Sequence, residues 1–321
     1  MVTLISCLTF LTSLLLGAQG LQYKCADFSS LLVTEAAGVE YSENGSQKSF
    51  ETILASHGTN LARIRVWTAG DYDVTHALAI AKRAEAAGMS ILVDLHYSDT
   101  WADPGKQAIP SGWPTDLNGL NTKIYAYTKD VVTSFANQGT PASIIQLLHS
   151  AANGARAGSS SVKTMIHLAN GWDRSSIATW YKNVLNYQGA FATGDVDIMG
   201  FSFYPFYNTD ATLSALQSSM SGITSTYKKP FMIVETDWPV QCSGVSMSES
   251  SIPISASGQE TWVADIRNTI SNVPGASPLG ICYWEPGWIG NANLGSGCAD
   301  NLLVSSNGAT RSSIKMFSSD M

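Results

Sequence analysis

The chain has 321 residues, 45% of them hydrophobic and 13% charged, with a net charge of −7. Such a composition describes a soluble globular chain of low charge density, and mild acidity without a dense Lys or Arg run excludes nucleic-acid binding through phosphate contacts. No internal repeat, low-complexity tract or Pro/Ser linker divides the sequence, so one domain is expected.

Residues 1–20 read as a secretory signal peptide. Leu4 to Leu16 is apolar, and Ala18-Gln19-Gly20 puts small residues at both positions that determine cleavage. The apolar core is shorter than the roughly 20 residues of a membrane anchor. Residues 21–321 are then the mature domain, and the product is extracellular. Cleavage removes Cys7 and leaves Cys25, Cys242, Cys282 and Cys298. In an oxidising compartment Cys242 and Cys298, both in Gly/Ser-rich loops after late strands, form the expected disulfide. Cys282, inside an apolar strand, reads as a buried small hydrophobe. Asn44-Gly45-Ser46 is a glycosylation sequon in a polar loop.

In chain order, a short strand over residues 21–28 precedes a polar loop and a helix near Phe50 to Ser56. Asn60 to Trp67 alternates apolar and basic residues, as a strand with a charged end. Val74 to Ala87 carries an apolar helical face that stops at Gly88, and Ser90 to His96 is a buried strand. Strand, helix, strand at regular spacing suggests βαβ units and a parallel sheet. The loop Tyr97 to Pro104 is rich in aromatic and acidic residues, which favours a functional role. Tyr125 to Phe135 reads as a helix. Strands follow at Ser143 to Gln146, Lys163 to Leu168, Val196 to Phe203, Phe231 to Glu235 and Leu279 to Glu285. Eight strands make a (β/α)8 barrel, whose active groups stand at the carboxyl ends of the strands.

The residues at those ends are Arg65, His96, Tyr204, Glu235 and Trp284. A carboxylate among Arg, His, Tyr and indoles suits sugar chemistry: indoles stack on pyranose faces, and Arg and Tyr hydrogen-bond a nucleophilic carboxylate. Taken singly, Glu235 could be a structural ion-pair partner, His96 a satisfied core histidine, and Trp101 and Trp284 packing residues. Five such groups on five strand ends are hard to obtain from packing alone. A metal centre on Asp94, His96, His167 and Asp197 is the competing chemistry, but no close ligand motif joins them and the cysteines are not clustered. Neither a metal nor a cofactor is expected. No G-x-S-x-G elbow occurs.

Residues 94–104 (DLHYSDTWADP), with 203–207 (FYPFY), 234–239 (VETDWP), 283–288 (YWEPGW) and 297–301 (GCADN), resemble glycoside hydrolase family 53, the secreted endo-β-1,4-galactanases that cut galactan side chains of type I arabinogalactan in pectin. The resemblance runs from Leu21 to near the C-terminus. It implies a single-domain barrel and a retaining double displacement by two glutamates, whose carboxyl groups stand about 5–5.5 Å apart. Glu235 matches the nucleophile. Arg65, His96, Asp99, Trp101, Tyr204, Trp238 and Trp284 are the implied substrate-binding shell, and Cys242 with Cys298 the disulfide of fungal-type members. β-1,4-Galactan is the implied partner of a monomer that binds neither nucleic acid nor membrane.

The second glutamate is missing. In the family it follows Gly-Asn at the end of the fourth strand, before a further loop and helix. Here Ser143-Ile144-Ile145-Gln146 runs straight into Leu147-Leu148-His149-Ser150. A truncated fourth β/α unit is therefore expected, with sheet hydrogen bonds and helix cover lost around it. Glu285, Asp99, Asp103 and His149 are the nearest substitutes, and none has the expected placement. Ala169 and Arg174 stand where the family has Asp and Trp, and Cys25 where it has Gly, so an altered cleft is also expected. A galactan-binding protein without turnover is the alternative reading. The clean flanks of the gap suggest a skipped or misassigned exon rather than gradual decay. Sequencing the transcript across the codons for Gln146 and Leu147 is expected to recover an Asn-Glu segment; a direct junction would assign the gap to the protein itself.

Overall fold

The computed structural model describes residues 20–103, 105–147, 149–185 and 192–321. The expected signal peptide lies outside the described residues, apart from Gly20. Eight parallel strands close into a barrel: β1 (Tyr23–Asp27), β2 (Leu61–Val66), β3 (Ser90–Leu95), β4 (Ala142–Gln146), β5 (Lys163–Leu168), β6 (Ile198–Ser202), β7 (Phe231–Thr236) and β8 (Pro278–Tyr283). Each strand pairs with the next, and β8 returns to β1 with Cys25 opposite Cys282. Ring helices follow most strands: α1 (Phe50–Ser56), α2 (Val74–Ala86), α3 (Leu117–Asn137), α4 (His149–Gly158), α5 (Arg174–Leu185), α6 (Leu213–Tyr227) and α7 (Ala256–Ser271). Among the described residues, no helix is long and apolar enough to cross a membrane.

Helix starts follow local chemistry. The side chains of Asp73, Asp116, Thr212 and Ser255 accept hydrogen bonds from the first-turn amides of α2, α3, α6 and α7. α3 begins eight residues before the helix expected from Tyr125; its first two turns are largely solvent-facing and carry a sparse stripe of Leu117, Leu120 and Ile124. The polar loop before α1 contains a small hairpin, Ser42–Glu43 against Ser46–Gln47. Asn44 and Gly45 make its turn with positive φ, as tight hairpins require. Asn44 is exposed there.

Alternation along the strands separates two apolar cores. Outward residues such as Ile64, Val93, Ile145, Phe201 and Ile233 pack under the helices. Inward residues Cys25, Leu61, Leu92, Ile144, Met165, Ile198, Met232, Val234 and Cys282 fill the barrel interior. Above that plug the inward positions turn polar, and the site begins there.

The fourth unit is shortened, but the ring survives. β4 pairs with β3 through Asp94 opposite Gln146 and with β5 through Gln146 opposite Met165. The expected loss of sheet hydrogen bonding and of helix cover is therefore corrected. Truncation falls on the connection, since β4 ends at Gln146 and α4 begins at His149. Cover comes from α4 lying flush on α3: a Cβ at Gly154 would stand 2.4 Å from the Tyr125 carbonyl oxygen, and one at Gly158 2.9 Å from that of Lys129. Only residues without a side chain allow that approach.

Cys242 and Cys298 are disulfide-bonded, as expected. Cys282 is not a free hydrophobe but is joined to Cys25. The correction follows from topology, because barrel closure makes the first and last strands neighbours and both cysteines point inward. That bond spans 257 residues and stitches the seam of the ring. Replacing both residues by Ala should lower stability by about 2–4 kcal/mol, since the cross-link restricts a very long loop in the unfolded chain. Urea titration of the double variant checks this; an unchanged midpoint would show that the seam does not depend on the bond.

Candidate active site

The inward residues above the apolar plug converge on Arg63. It is 2% exposed, and its guanidinium donates from Nη1 to Asp27 (2.5 Å), from Nη2 to Asp94 (2.7 Å) and Glu235 (2.8 Å), and from Nε to the Gln146 side chain (3.0 Å). Burial works against its charge, but Asp94, Glu235 and Asp27 hold it firmly protonated. One cation thus gathers three carboxylates from β1, β3 and β7 and the last residue of β4.

Glu235 reaches this point through a β-bulge. Phe201 faces Ile233 while Ser202 faces Glu235, and Ile281 faces Ile233 while Tyr283 faces Thr236, so both neighbouring strands register one extra residue in β7. Val234 therefore packs into the interior, and Glu235 also points inward. Thr236 is turned outward, donating to the Phe203 carbonyl and accepting from Trp262 Nε1. Bulges of this kind re-aim a side chain beside a site.

Three donors hold the Glu235 carboxylate. Besides Arg63, Ser202 Oγ donates at 2.8 Å and the Tyr204 hydroxyl at 3.2 Å, both to Oε2. Since the single Ser202 proton goes to Glu235, His167 Nε2, at 2.7 Å, is the donor to Ser202. Burial raises the Glu235 pKa, but Arg63 and His167 outweigh it, and the carboxyl ionises below its ordinary value. Asp94 behaves alike: burial opposes its charge, while Arg63 and His96 drive it well below the usual range. His96 Nε2 lies 3.0 Å from Asp94, and the Trp67 indole donates to its Nδ1.

Arg65, two residues along β2, has a different task from the one expected. It does not touch Glu235. Its Nη2 pairs with Glu285 at 3.0 Å, and its Cζ lies 4.4 Å from the ring centroids of both Tyr72 and Trp101. The cation is roofed by aromatic faces. Glu285 also accepts from the Ser30 amide and hydroxyl. Burial and nearby Asp27 push its pKa up to about 7, against the pull of Arg65 and Ser30.

Of the other expected residues, Trp101 and Trp284 line the mouth with Trp288, their ring centroids 6.2–6.3 Å from Trp101. Asp99 is committed to the protein, accepting from Thr68 Oγ1 and the Ser111 amide and so pinning the long loop. Trp238 does not open to the cleft as expected: it is fully buried, donates to the Pro253 carbonyl and packs on Trp262. Arg174 lies along Gly222 of α6, in the helix layer, whereas Ala169 is exposed beyond the end of β5. The competing metal set is dispersed, since Asp94 serves Arg63 and His96 while Asp197 accepts from the Thr164 amide and hydroxyl. Among the described residues no group of three or more His, Cys, Asp and Glu could hold a metal ion.

Sequence reasoning missed Arg63, Asp27, Ser202 and Gln146 as parts of the site. Arg63 carried a usable signal: it alternates with Arg65, and an inward arginine deeper in a barrel needs carboxylate partners.

The family model for glycosyl hydrolase family 53 matches residues 23–147 and 142–317, two pieces that overlap across β4. A Thermothelomyces thermophilus protein named arabinogalactan endo-beta-1,4-galactanase is 44% identical over 331 residues, 92% of this chain and 99% of its own. An Emericella nidulans protein named arabinogalactan endo-beta-1,4-galactanase A is 43% identical over 350 residues, 98% of this chain and 99% of its own. That alignment is longer than the 321-residue chain, so the relative carries residues absent here. A solved fungal β-1,4-galactanase superposes with a TM-score of 0.89 at 40% identity, covering 93% of this chain and 99% of that one. The Ignisphaera aggregans GH53 catalytic domain, at 22% identity and a TM-score of 0.79, shares the fold. On the family match and these identities, the chain belongs to glycosyl hydrolase family 53.

Proposed function

We propose that the protein is a secreted enzyme of β-1,4-galactan breakdown in which Glu235 is the nucleophile of a retaining displacement. One observation carries the reading: Glu235 is ionised at the barrel mouth and held by Arg63, Ser202 and Tyr204. An ionised carboxylate with fixed donors is poised to attack an anomeric carbon, and those donors take back its charge when the glycosyl ester breaks. Trp101, Trp284 and Trp288 offer apolar faces for galactose rings, and His96 a polar group beside them. The named galactanase relatives support galactan as the substrate. The sequence of residues 1–20, the two disulfides and the exposed sequon at Asn44 support secretion.

Departure of an unactivated galactose needs a proton on its oxygen. General acid catalysis typically supplies about 10²- to 10⁴-fold, or about 3–5 kcal/mol of barrier. Galactan turnover should fall short of the full-length relatives by that factor, while aryl galactosides with good leaving groups are largely spared.

Three measurements follow. Glu235→Gln should reduce release of 2,4-dinitrophenolate from an aryl β-galactobioside by more than about 10³-fold; an unchanged rate would remove Glu235 as nucleophile. Arg63→Met leaves Asp27, Asp94 and Glu235 without their cation and should cost about 3–5 kcal/mol in urea denaturation. The pH dependence has a worked sign. Asp94 and Glu235 have depressed pKa values, so their contribution is present above the ordinary carboxyl range and lost as pH falls. Glu285 is raised to about 7, so its contribution is present below its ordinary 4.5 and lost as pH rises through 7. Stability should therefore peak in mild acid, and Glu285→Gln should flatten the decline toward neutral pH. A thermal-shift series from pH 3 to 9 reads both limbs.

A further inference from the structure

Resting on the assignment of Glu235 as nucleophile, we infer that this chain is a galactosyl transferase to small external nucleophiles: it forms its glycosyl-enzyme from activated donors and releases it to anions such as azide faster than to water. The inference comes from the state of the buried carboxyl groups around Glu235. A retaining pair needs one carboxylate and, within about 5–5.5 Å, one carboxylic acid. Asp94 meets the distance, because it and Glu235 share Arg63 Nη2 at 2.7 and 2.8 Å and so lie within about 5.5 Å of each other. It fails on protonation. Arg63 and His96 keep Asp94 ionised, and acid and base roles need environments that separate the two groups rather than depress both.

Asp27 is fully buried and engaged by Arg63 and Ser29. Glu285 is 1% exposed, tied to Arg65 and Ser30 beneath Trp101. Asp237 is likewise 1% exposed, and burial with the charge of Glu235 beside it favours its neutral form, shut away from the cleft. Glu235, by contrast, keeps 19% of its side chain exposed. The end of β4, three strands round the ring, is followed almost at once by a helix. There Gln146 is bound to Arg63 and the chain passes into α4. None of Asp27, Asp94, Asp237 and Glu285 both carries a proton and opens to the cleft.

The consequence is a matter of bonds. With a leaving group such as 2,4-dinitrophenolate, a Glu235 oxygen bonds to C1 as the C1–O bond to the aryl group breaks, and the phenolate departs with the electron pair without needing a proton. Water attacks the ester slowly, because Asp94, the ionised carboxylate within reach, is buried with its Oδ2 engaged by Arg63 and His96, which makes it a poor base. Azide brings its own electron pair: the C1–N bond forms, the C1–O bond to Glu235 breaks, and the carboxylate is regenerated. Two inversions give a β-glycosyl azide. Esterification of Glu235 also removes one negative charge from the mouth, leaving Arg63 facing Asp27 and Asp94 alone, so the nucleophile no longer repels an incoming anion.

Stopped-flow kinetics on the intact chain test this with 2,4-dinitrophenyl β-1,4-galactobioside and sodium azide. The expected result is a burst of one phenolate per protein, a slow steady state, at least tenfold acceleration by azide, and β-galactobiosyl azide identified by proton NMR. Glu235→Gln should abolish the burst. A burst with no azide effect and no azide product would overturn the inference while leaving the nucleophile in place. Rapid turnover in water without a burst, unaffected by azide, would reveal an internal base and overturn it too. Absence of a burst together with rates equal to those of Glu235→Gln would remove the nucleophile assignment itself, and an α-configured azide would show single displacement and do the same.

Discussion

A single buried guanidinium organises the mouth of this barrel. Arg63 holds Asp27, Asp94, Glu235 and Gln146 at once, and each comes from a different strand. Without that cation, three carboxylates would sit in a poorly hydrated space at a cost of several kcal/mol each. With it, all three are fixed, and Asp94 and Glu235 are ionised. A stabilising contact of this kind also tunes reactivity, because the charge that makes folding tolerable is the charge that keeps Glu235 deprotonated. The same coupling denies Asp94 a role as acid. Proximity to Arg63 and readiness to donate a proton exclude each other.

The second constraint is backbone register. A strand alternates its side chains, so Val234 and Glu235 could not both face the interior of a regular β7. The extra residue recorded by β6 and β8 resolves that conflict, letting Val234 complete the apolar plug while Glu235 rises into the charged layer. Thr236 then faces outward and is clamped by Phe203 and Trp262. Glu285 shows a related adjustment with φ at 45°, as does Tyr97 with φ at 49°, each just past a strand end. Non-glycine residues in that region cost about 1–3 kcal/mol unless their surroundings hold them, and here Ser30, Arg65 and Thr128 supply the hold.

Much of this was legible in the sequence, and what was not has physical reasons. Apolar runs ending in polar residues located all eight strands, and Glu235, His96, Tyr204 and Trp284 fell at their ends. Arg63 and Arg65 cannot be told apart in the sequence, because residues two apart share a face and differ only in depth; the strand end points to the shallow Arg65, whereas the deep Arg63 holds Glu235. Trp238 follows Glu235 too closely for periodicity to decide its direction after a bulge. The pairing of Cys25 with Cys282 depends on ring closure, a property of the whole chain. The fourth unit was expected to fail because its missing residues were weighed as sheet and helix, whereas they fall on a connection.

That last point explains how a chain can keep a family fold with a shortened fourth connection. Ring closure needs main-chain hydrogen bonds from β4 to β3 and β5, and residues 142–146 supply them. Helix cover needs a short apolar segment against α3, and α4 supplies it with two glycines at the contact. Neither requirement involves the loop between strand and helix. In barrels of this class the strands carry stability and the loops at their carboxyl ends carry reaction. Removing one loop therefore separates the two. The half of the site built on strands, with Arg63, Ser202, Tyr204 and Glu235, remains ordered because its members are also structural partners of one another. A shorter fourth connection costs the ring little, because β4 still pairs on both sides.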